Sequence, residues 1–242
     1  MMTIGRTAII LAAGLGQRMR PLTDTVPKPL INVAGQPLIA YAVDALRAAG
    51  VQQAVVNVHY RADQIESWAK TVANPRLVIS DECAEILDTG GGILNALPLL
   101  GRDPFFVLNG DGFWLDGTTP ALSNLAHFWR DADMDCLLLT VPLGRTTGFD
   151  GRGDFVADAE GRLARAPKDA ENPVAYIGGY LVHPRIFAGV TQRKFSMNKL
   201  WDVAISEGRL FGLVHGGHWF HVGTPGAIAM AETRLQHLRH GS

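Results

Sequence analysis

An α/β fold built on a doubly wound, largely parallel sheet is what this sequence predicts, on three observations. Apolar runs such as "RTAIILAAG" and "PFFVLNGD" are short and end in glycine or Asn-Gly-Asp, as central strands covered on both faces do. Segments with helical apolar spacing alternate with these runs as far as Pro142, a βαβαβα order that calls for parallel pairing. Apolar residues make up 47% of the 242 and charged residues 19%, enough material for one large core.

Each element follows in order. "RTAIILAAG" is the first strand, and "PLIAYAVDALRAAG" is a helix with Pro37 near its start and Gly50 just past its end. "QAVVNVHY" is a strand, "RADQIESWAKTV" a helix, "RLVIS" a strand, and "TGGGILNALPLL" a helix opened by a glycine run. "PFFVLNGD" is the next buried strand, followed by the helical "ALSNLAHFWRDA" and the strand "DCLLLTVPL". From Gly144 the chain is rich in Gly, Asp and Arg and reads as turns and short hairpin strands, a lid or second-substrate region. "AYIGGYLVHPRIF" and "LFGLVHGGHWFHVGTP" return as strands, with a helix around 198–207 and a closing amphipathic helix over 225–238. No repeat or long linker divides the chain, so one domain over 1–242 is expected.

Composition narrows the function. A formal charge of −1 excludes a generally basic, nucleic-acid-coating surface, so cations matter only where they cluster. Cys83 and Cys136 have neither CxxC nor zinc-type spacing, which excludes a disulfide scaffold and leaves a reducing cytoplasm as the expected setting. The early apolar run over 8–13 is far shorter than the ~20 residues of a membrane span. No nucleic-acid or membrane partner is expected, and the oligomeric state is open.

The stretch "LAAGLGQRMRPLTDTVPKPL" over 11–30 crowds small residues and fixed cations behind the first strand. Ligands of open α/β sheets bind beyond the carboxyl ends of strands, where this turn sits. Small side chains let backbone approach a nucleotide, and amides leading into a helix start attract anions. Arg18 can grip phosphate oxygens as a fork, and Lys28, held between Pro27 and Pro29 in a stiff extended segment, acts as a point charge. The stretch lacks the third glycine of the dinucleotide fingerprint, and no GxxxxGK[ST] occurs.

These residues closely resemble the signature of the sugar-1-phosphate nucleotidyltransferases, L-A-A-G-x-G-x-R-x-x-P-L-T followed by P-K-P. The likeness continues through "TGGGI" at 89–93, "NGD" at 109–111 and "WFHVGTP" at 219–225, and so covers essentially the whole chain. It implies a Rossmann-like, mixed but mainly parallel sheet, with a nucleotide-binding half over about 1–142 and a sugar-phosphate half over about 143–242. It implies a reaction between a nucleoside triphosphate and a sugar 1-phosphate that releases pyrophosphate, with Mg2+ as cofactor. Leu11, Ala12, Ala13 and Gly14 would line the nucleoside, Gly16 and Arg18 the triphosphate, and Lys28 the α-phosphate, with Arg18 and Lys28 as the catalytic cations. Gly90 and Gly91 would face the base, while Asn109, Asp154 and Gly178 would serve the sugar. Asp111 would hold the metal, with His221 standing where many relatives carry a second metal-binding aspartate.

Within the family, "DTGGGILNALPLL" resembles the short uridylyltransferases for N-acetylmuramic acid 1-phosphate, which implies UTP and cell-wall recycling. Mannose-1-phosphate guanylyltransferases and enzymes for other hexose or heptose phosphates are rivals, and a catalytically silent nucleotide-sugar sensor on the same fold is a reading of another class. Ending at Ser242, the sequence is expected to lack the appended β-helix of bifunctional relatives. His215, His218 and His221 do not share one strand face, so His215 and His218 are read as structural.

Overall fold

Ala8 and Ile10 of β1 (Thr7–Leu11) pack to one side of the sheet and Ile9 to the other, all three wholly buried. Only a strand with helices over both faces buries alternate side chains in this way. The computed structural model describes residues 4–240; residues 1–3 and 241–242 of the expected domain lie outside the described residues.

A hairpin of β2 (Asn32–Val33) and β3 (Gln36–Pro37) leads into α1 (Leu38–Ala48), which buries Leu38, Ile39, Ala42, Val43 and Leu46 at helical spacing. The parallel half continues through β4 (Gln53–Val58), α2 (Ala62–Ala69), β5 (Arg76–Asp81), α3 (Asp88–Leu100) and β6 (Phe105–Asn109). Next come β7 (Gly112–Leu115), α4 (Ala121–Phe128), β8 (Cys136–Pro142) and β9 (Thr146–Thr147). The chain closes with β10 (Phe155–Ala157), β11 (Leu163–Arg165), β12 (Val174–Val182), α5 (Asn198–Ser206), β13 (Leu210–Val214), β14 (His218–His221) and α6 (Pro225–His240). Among the described residues no helix is long and apolar enough to cross a membrane.

The main sheet runs β5-β4-β1-β6-β12-β8-β13, parallel from β5 to β6 and again between β8 and β13. β12 is antiparallel to both β6 and β8, which makes the sheet mixed rather than wholly parallel. The physical reason lies in the connection: from β8 to β12 the chain passes through turns and a hairpin, not the crossover helix a parallel return needs. That hairpin, β10–β11, extends the sheet beside the start of β12. β7, hidden in the sequence by flanking turn residues, pairs with β14, and β14 with β9, in a separate small sheet. α6 contributes Ala231 and Leu235 to the core over this sheet, together with Phe113 and Phe220.

β12 carries a bulge against β8 between Tyr176 and Tyr180. Gly178 occupies it at φ +85, and a Cβ there would lie 3.1 Å from the Cβ of Asn109. The bulge sets the wall beside the end of β6. Gly178→Ala is expected to cost about 1–3 kcal/mol of stability, because it adds strain at a positive φ to a tight contact; a shift of the urea midpoint checks it.

Candidate active site

The pairing of β1 with β4 and β6 brings Asn57 and Asn109 opposite Leu11 at the carboxyl edge of the sheet. The Ala12 amide donates to Asn57 Oδ1 at 2.7 Å, and the Gly110 amide donates to the Leu11 carbonyl at 3.0 Å. Beyond this edge the loop opens into a cavity of about 530 Å³ walled by Leu11, Ala12, Ala13, Gly14, Gly16, Arg18 and Lys28 from the opening stretch. Gly16 turns the chain at φ +62, where a Cβ would meet Thr23 Cγ2 at 2.9 Å and Lys28 Cβ at 3.1 Å. A Cβ on Gly14 would meet no protein atom within 4 Å, so it faces open cavity. The helix start expected behind the loop is only a three-residue 3-10 turn, Gln17–Met19, too short to offer a helix dipole. Anion binding therefore falls to loop amides and to the cations.

Lys28 departs from its expected extended backbone. Pro27 is extended, but Lys28 opens a 3-10 turn that buries it, with 9% of its surface exposed. Its Nζ donates to Asp111 Oδ2 at 3.1 Å. Burial alone would raise the Asp111 carboxyl, but Lys28, His221 and Arg18 outweigh it and hold the group below the usual carboxylate range. Arg18 is exposed on the cavity wall with no ion-pair partner among the described residues.

His221 ends β14 with its Nε2 over Gly223, where a Cβ would stand 2.7 Å away, and its ring edge-on to Phe149. Burial lowers its pKa, and Lys28 and Arg18 lower it further against the pull of Asp111, so the ring is neutral at pH 7. His215 and His218 have structural partners: His215 Nε2 is 2.9 Å from the Leu115 carbonyl, and His218 Nε2 is 2.8 Å from Thr147 Oγ1. Among the described residues no group of three or more His, Cys, Asp or Glu side chains is placed to hold a metal ion. The donor set suits an ion held by one carboxylate with most of its ligands from elsewhere, as magnesium on a triphosphate is.

A second cavity, of about 250 Å³, shares Leu11, Thr89 and Asn109 with the first. Asp154 lines it and accepts the Tyr176 amide at 2.8 Å, while Gly178 lies behind Asn109. Gly90 and Gly91 lie outside both walls. Their amides donate to the Phe195 carbonyl at 2.9 and 3.0 Å, and a Cβ on either would strike Phe195 or the Arg193 carbonyl within 2.3 Å. These glycines let α3 press against the segment before α5, and Asp88 and Thr89 line the first cavity in their place.

Among the residues of the first cavity that escaped sequence reasoning, Asn57 and Glu82 brace the loop. Asn57, 3% exposed, also donates its Nδ2 to Glu82 Oε1 at 2.7 Å, and Glu82 Oε2 accepts the Leu87 amide at 3.1 Å. Asn57 had a visible signal, a polar residue inside the apolar run "QAVVNV"; Glu82 had none until the strands were paired. In the second cavity Arg165, Tyr180, Ser196, Asn198 and Trp201 were likewise missed, since they converge from separate elements.

A loop over the carboxyl edge of a mixed α/β sheet, with two cations on the larger of two joined cavities, is the architecture of a nucleotide-handling transferase. The chain belongs to the family of the MobA-like NTP transferase domain, whose profile matches residues 8–190. It is similar to the N-acetylmuramate alpha-1-phosphate uridylyltransferase of Caulobacter vibrioides, 42% identical over 235 residues that cover 95% of this chain and 97% of that protein. It is also similar to the enzyme of that name from Neisseria meningitidis serogroup B, 36% identical over 222 residues covering 90% and 93%. A solved UDP-glucose pyrophosphorylase in complex with UDP-glucose superposes with a TM-score of 0.79 over 98% of this chain and 100% of that one; at 19% identity this likeness concerns the fold alone.

Asn57→Ala strips the Ala12 amide of its acceptor and Glu82 of a donor. The expected cost is about 1–3 kcal/mol of stability, together with a raised KM for the triphosphate. Urea unfolding and steady-state kinetics read the two effects separately.

Proposed function

We propose that this protein transfers the uridylyl group of UTP to N-acetylmuramic acid 1-phosphate, giving the UDP-sugar and pyrophosphate. The observation that carries this reading is the pair of cavities joined at Leu11, Thr89 and Asn109, with Arg18 and Lys28 on the larger one. The two uridylyltransferase relatives support the choice of substrates. In this reading the first 142 residues or so hold the nucleotide, and the remainder supplies most of the sugar-phosphate side. A consumer of nucleoside triphosphate belongs in the cytoplasm, where such triphosphates are made.

The chemistry asks little of a general base. A phosphate oxygen of the sugar phosphate is already anionic; it forms a bond to the α-phosphorus as the bond to the β-phosphate breaks, and the electron pair leaves on pyrophosphate. Alignment and charge neutralisation then account for catalysis. Leu11, Ala12, Ala13 and Gly14 lie against the nucleoside, and Gly16 and Arg18 against the triphosphate. Lys28 meets the α-phosphate after exchanging Asp111 for it. Asp154 and Asn109 bind the sugar, with Gly178 shaping the wall behind Asn109. Asp111 would hold magnesium together with triphosphate oxygens, and the ion would supply further neutralisation of the phosphates. His221, neutral and beside Asp111, adds little to that affinity.

Pyrophosphate release from a panel of triphosphates and sugar 1-phosphates is expected to be fastest with UTP and N-acetylmuramic acid 1-phosphate. In Lys28→Ala and Arg18→Ala it is expected to fall roughly 100-fold or more. Exclusive use of GTP with mannose 1-phosphate would overturn the substrates, and no release with any pair would favour a silent sensor.

A magnesium titration tests the metal assignment. Asp111→Asn is expected to abolish activity, whereas His221→Asp, which adds a second carboxylate, keeps or raises the magnesium-dependent rate. The reverse pattern would show that Asp111 is not the principal ligand.

A further inference from the structure

We infer that Arg165 reads a carboxylate on the sugar and so selects an acidic acceptor over its neutral counterpart. The inference rests on the reading above that the smaller cavity takes the sugar. Among the described residues lining that cavity, Arg165 is the only cation. Its guanidinium is fixed on three sides. The carbon of the group lies 4.8 Å over the Phe155 ring, Nε donates to Asp202 Oδ1 at 2.8 Å, and Nη2 donates to Asn198 Oδ1 at 2.9 Å. Nη1 makes no hydrogen bond among the described residues, which leaves its N–H groups to offer from a preorganised guanidinium.

The alternatives to a carboxylate fit less well. The 1-phosphate must sit where it can reach the nucleotide, at the junction of the cavities by Leu11, Thr89 and Asn109, and Arg165 does not line the larger cavity. Neutral hydroxyls have Asp154, Asn109 and Asn198 on the same wall. Asp202 offsets part of the Arg165 charge, but the pair is exposed, with 39% and 60% of the two side chains accessible, and such pairs are weak. Asp202 does not line the cavity, so it holds the guanidinium from behind and leaves Nη1 to a ligand. A charged N–H held in place in this way donates best to an anionic oxygen, and a carboxylate is the anion that a sugar can bring there. N-acetylmuramic acid has such a group in its lactyl ether, whereas N-acetylglucosamine is the same ring without it.

The test is the ratio of kcat/KM for N-acetylmuramic acid 1-phosphate to that for N-acetylglucosamine 1-phosphate, with UTP, in wild type, Arg165→Gln and Arg165→Lys. The ratio is expected to fall roughly 10- to 100-fold in Arg165→Gln, the worth of a hydrogen bond to a charged group, and less in Arg165→Lys. The fall should lie in KM. A ratio that stays constant, including one where both substrates weaken together, overturns the inference. Wild-type protein inert toward N-acetylmuramic acid 1-phosphate sinks the substrate reading and this inference with it; an active wild type with an unmoved ratio sinks the inference alone.

Discussion

The register of three parallel strands governs everything at the site. Leu11 stands opposite Asn57 on one side and Asn109 on the other, so the ends of β4, β1 and β6 finish level at one edge. A slip of one residue would turn Asn57 to the other face of the sheet and withdraw the acceptor from the Ala12 amide. The register is specified because the strands are apolar on both faces, with Ile9, Ile10, Val55, Val56 and Val107 wholly buried. The site inherits its rigidity from that packing, and the Asn57–Glu82 hydrogen bond carries it from strand to loop.

Charge at the larger cavity is balanced within the protein. A buried lysine and a carboxylate 3.1 Å away each spare the other an uncompensated charge, which stabilises the pairing of Lys28 with Asp111. In the proposed reaction a triphosphate with its metal ion would offer each partner a replacement of the right sign. Exchange in place of creation of charge contacts would let a cation so little exposed serve a substrate that must come and go.

The smaller cavity is assembled by different means. The antiparallel return of β12, its bulge at Gly178, the hairpin β10–β11 and the segment before α5 each contribute a side. The glycines at the start of α3 matter here indirectly: with no side chains they let Phe195 close against the helix, which brings Ser196, Met197 and Asn198 to the wall. A glycine run that resembles a ligand loop in one dimension is a packing contact in three. Tyr176, Tyr180 and Trp201, stacked edge to face, give this wall a rigid aromatic side.

The parallel half of the fold, the position of the loop behind β1 and the cluster of Arg18 and Lys28 are legible in the chain before it folds. These depend on short-range facts: apolar periodicity, turn residues, and cations a few positions apart. Local pattern also assigned His215 and His218 to structural roles. Folding reveals that Lys28 pairs with Asp111, that Asn57 and Glu82 brace the loop, that Gly90 and Gly91 pack on Phe195, and that Arg165 faces the same cavity as Asp154. Each of these is a contact between residues distant in sequence. Such contacts are fixed by strand order and by the direction in which β12 returns, which no local spacing encodes.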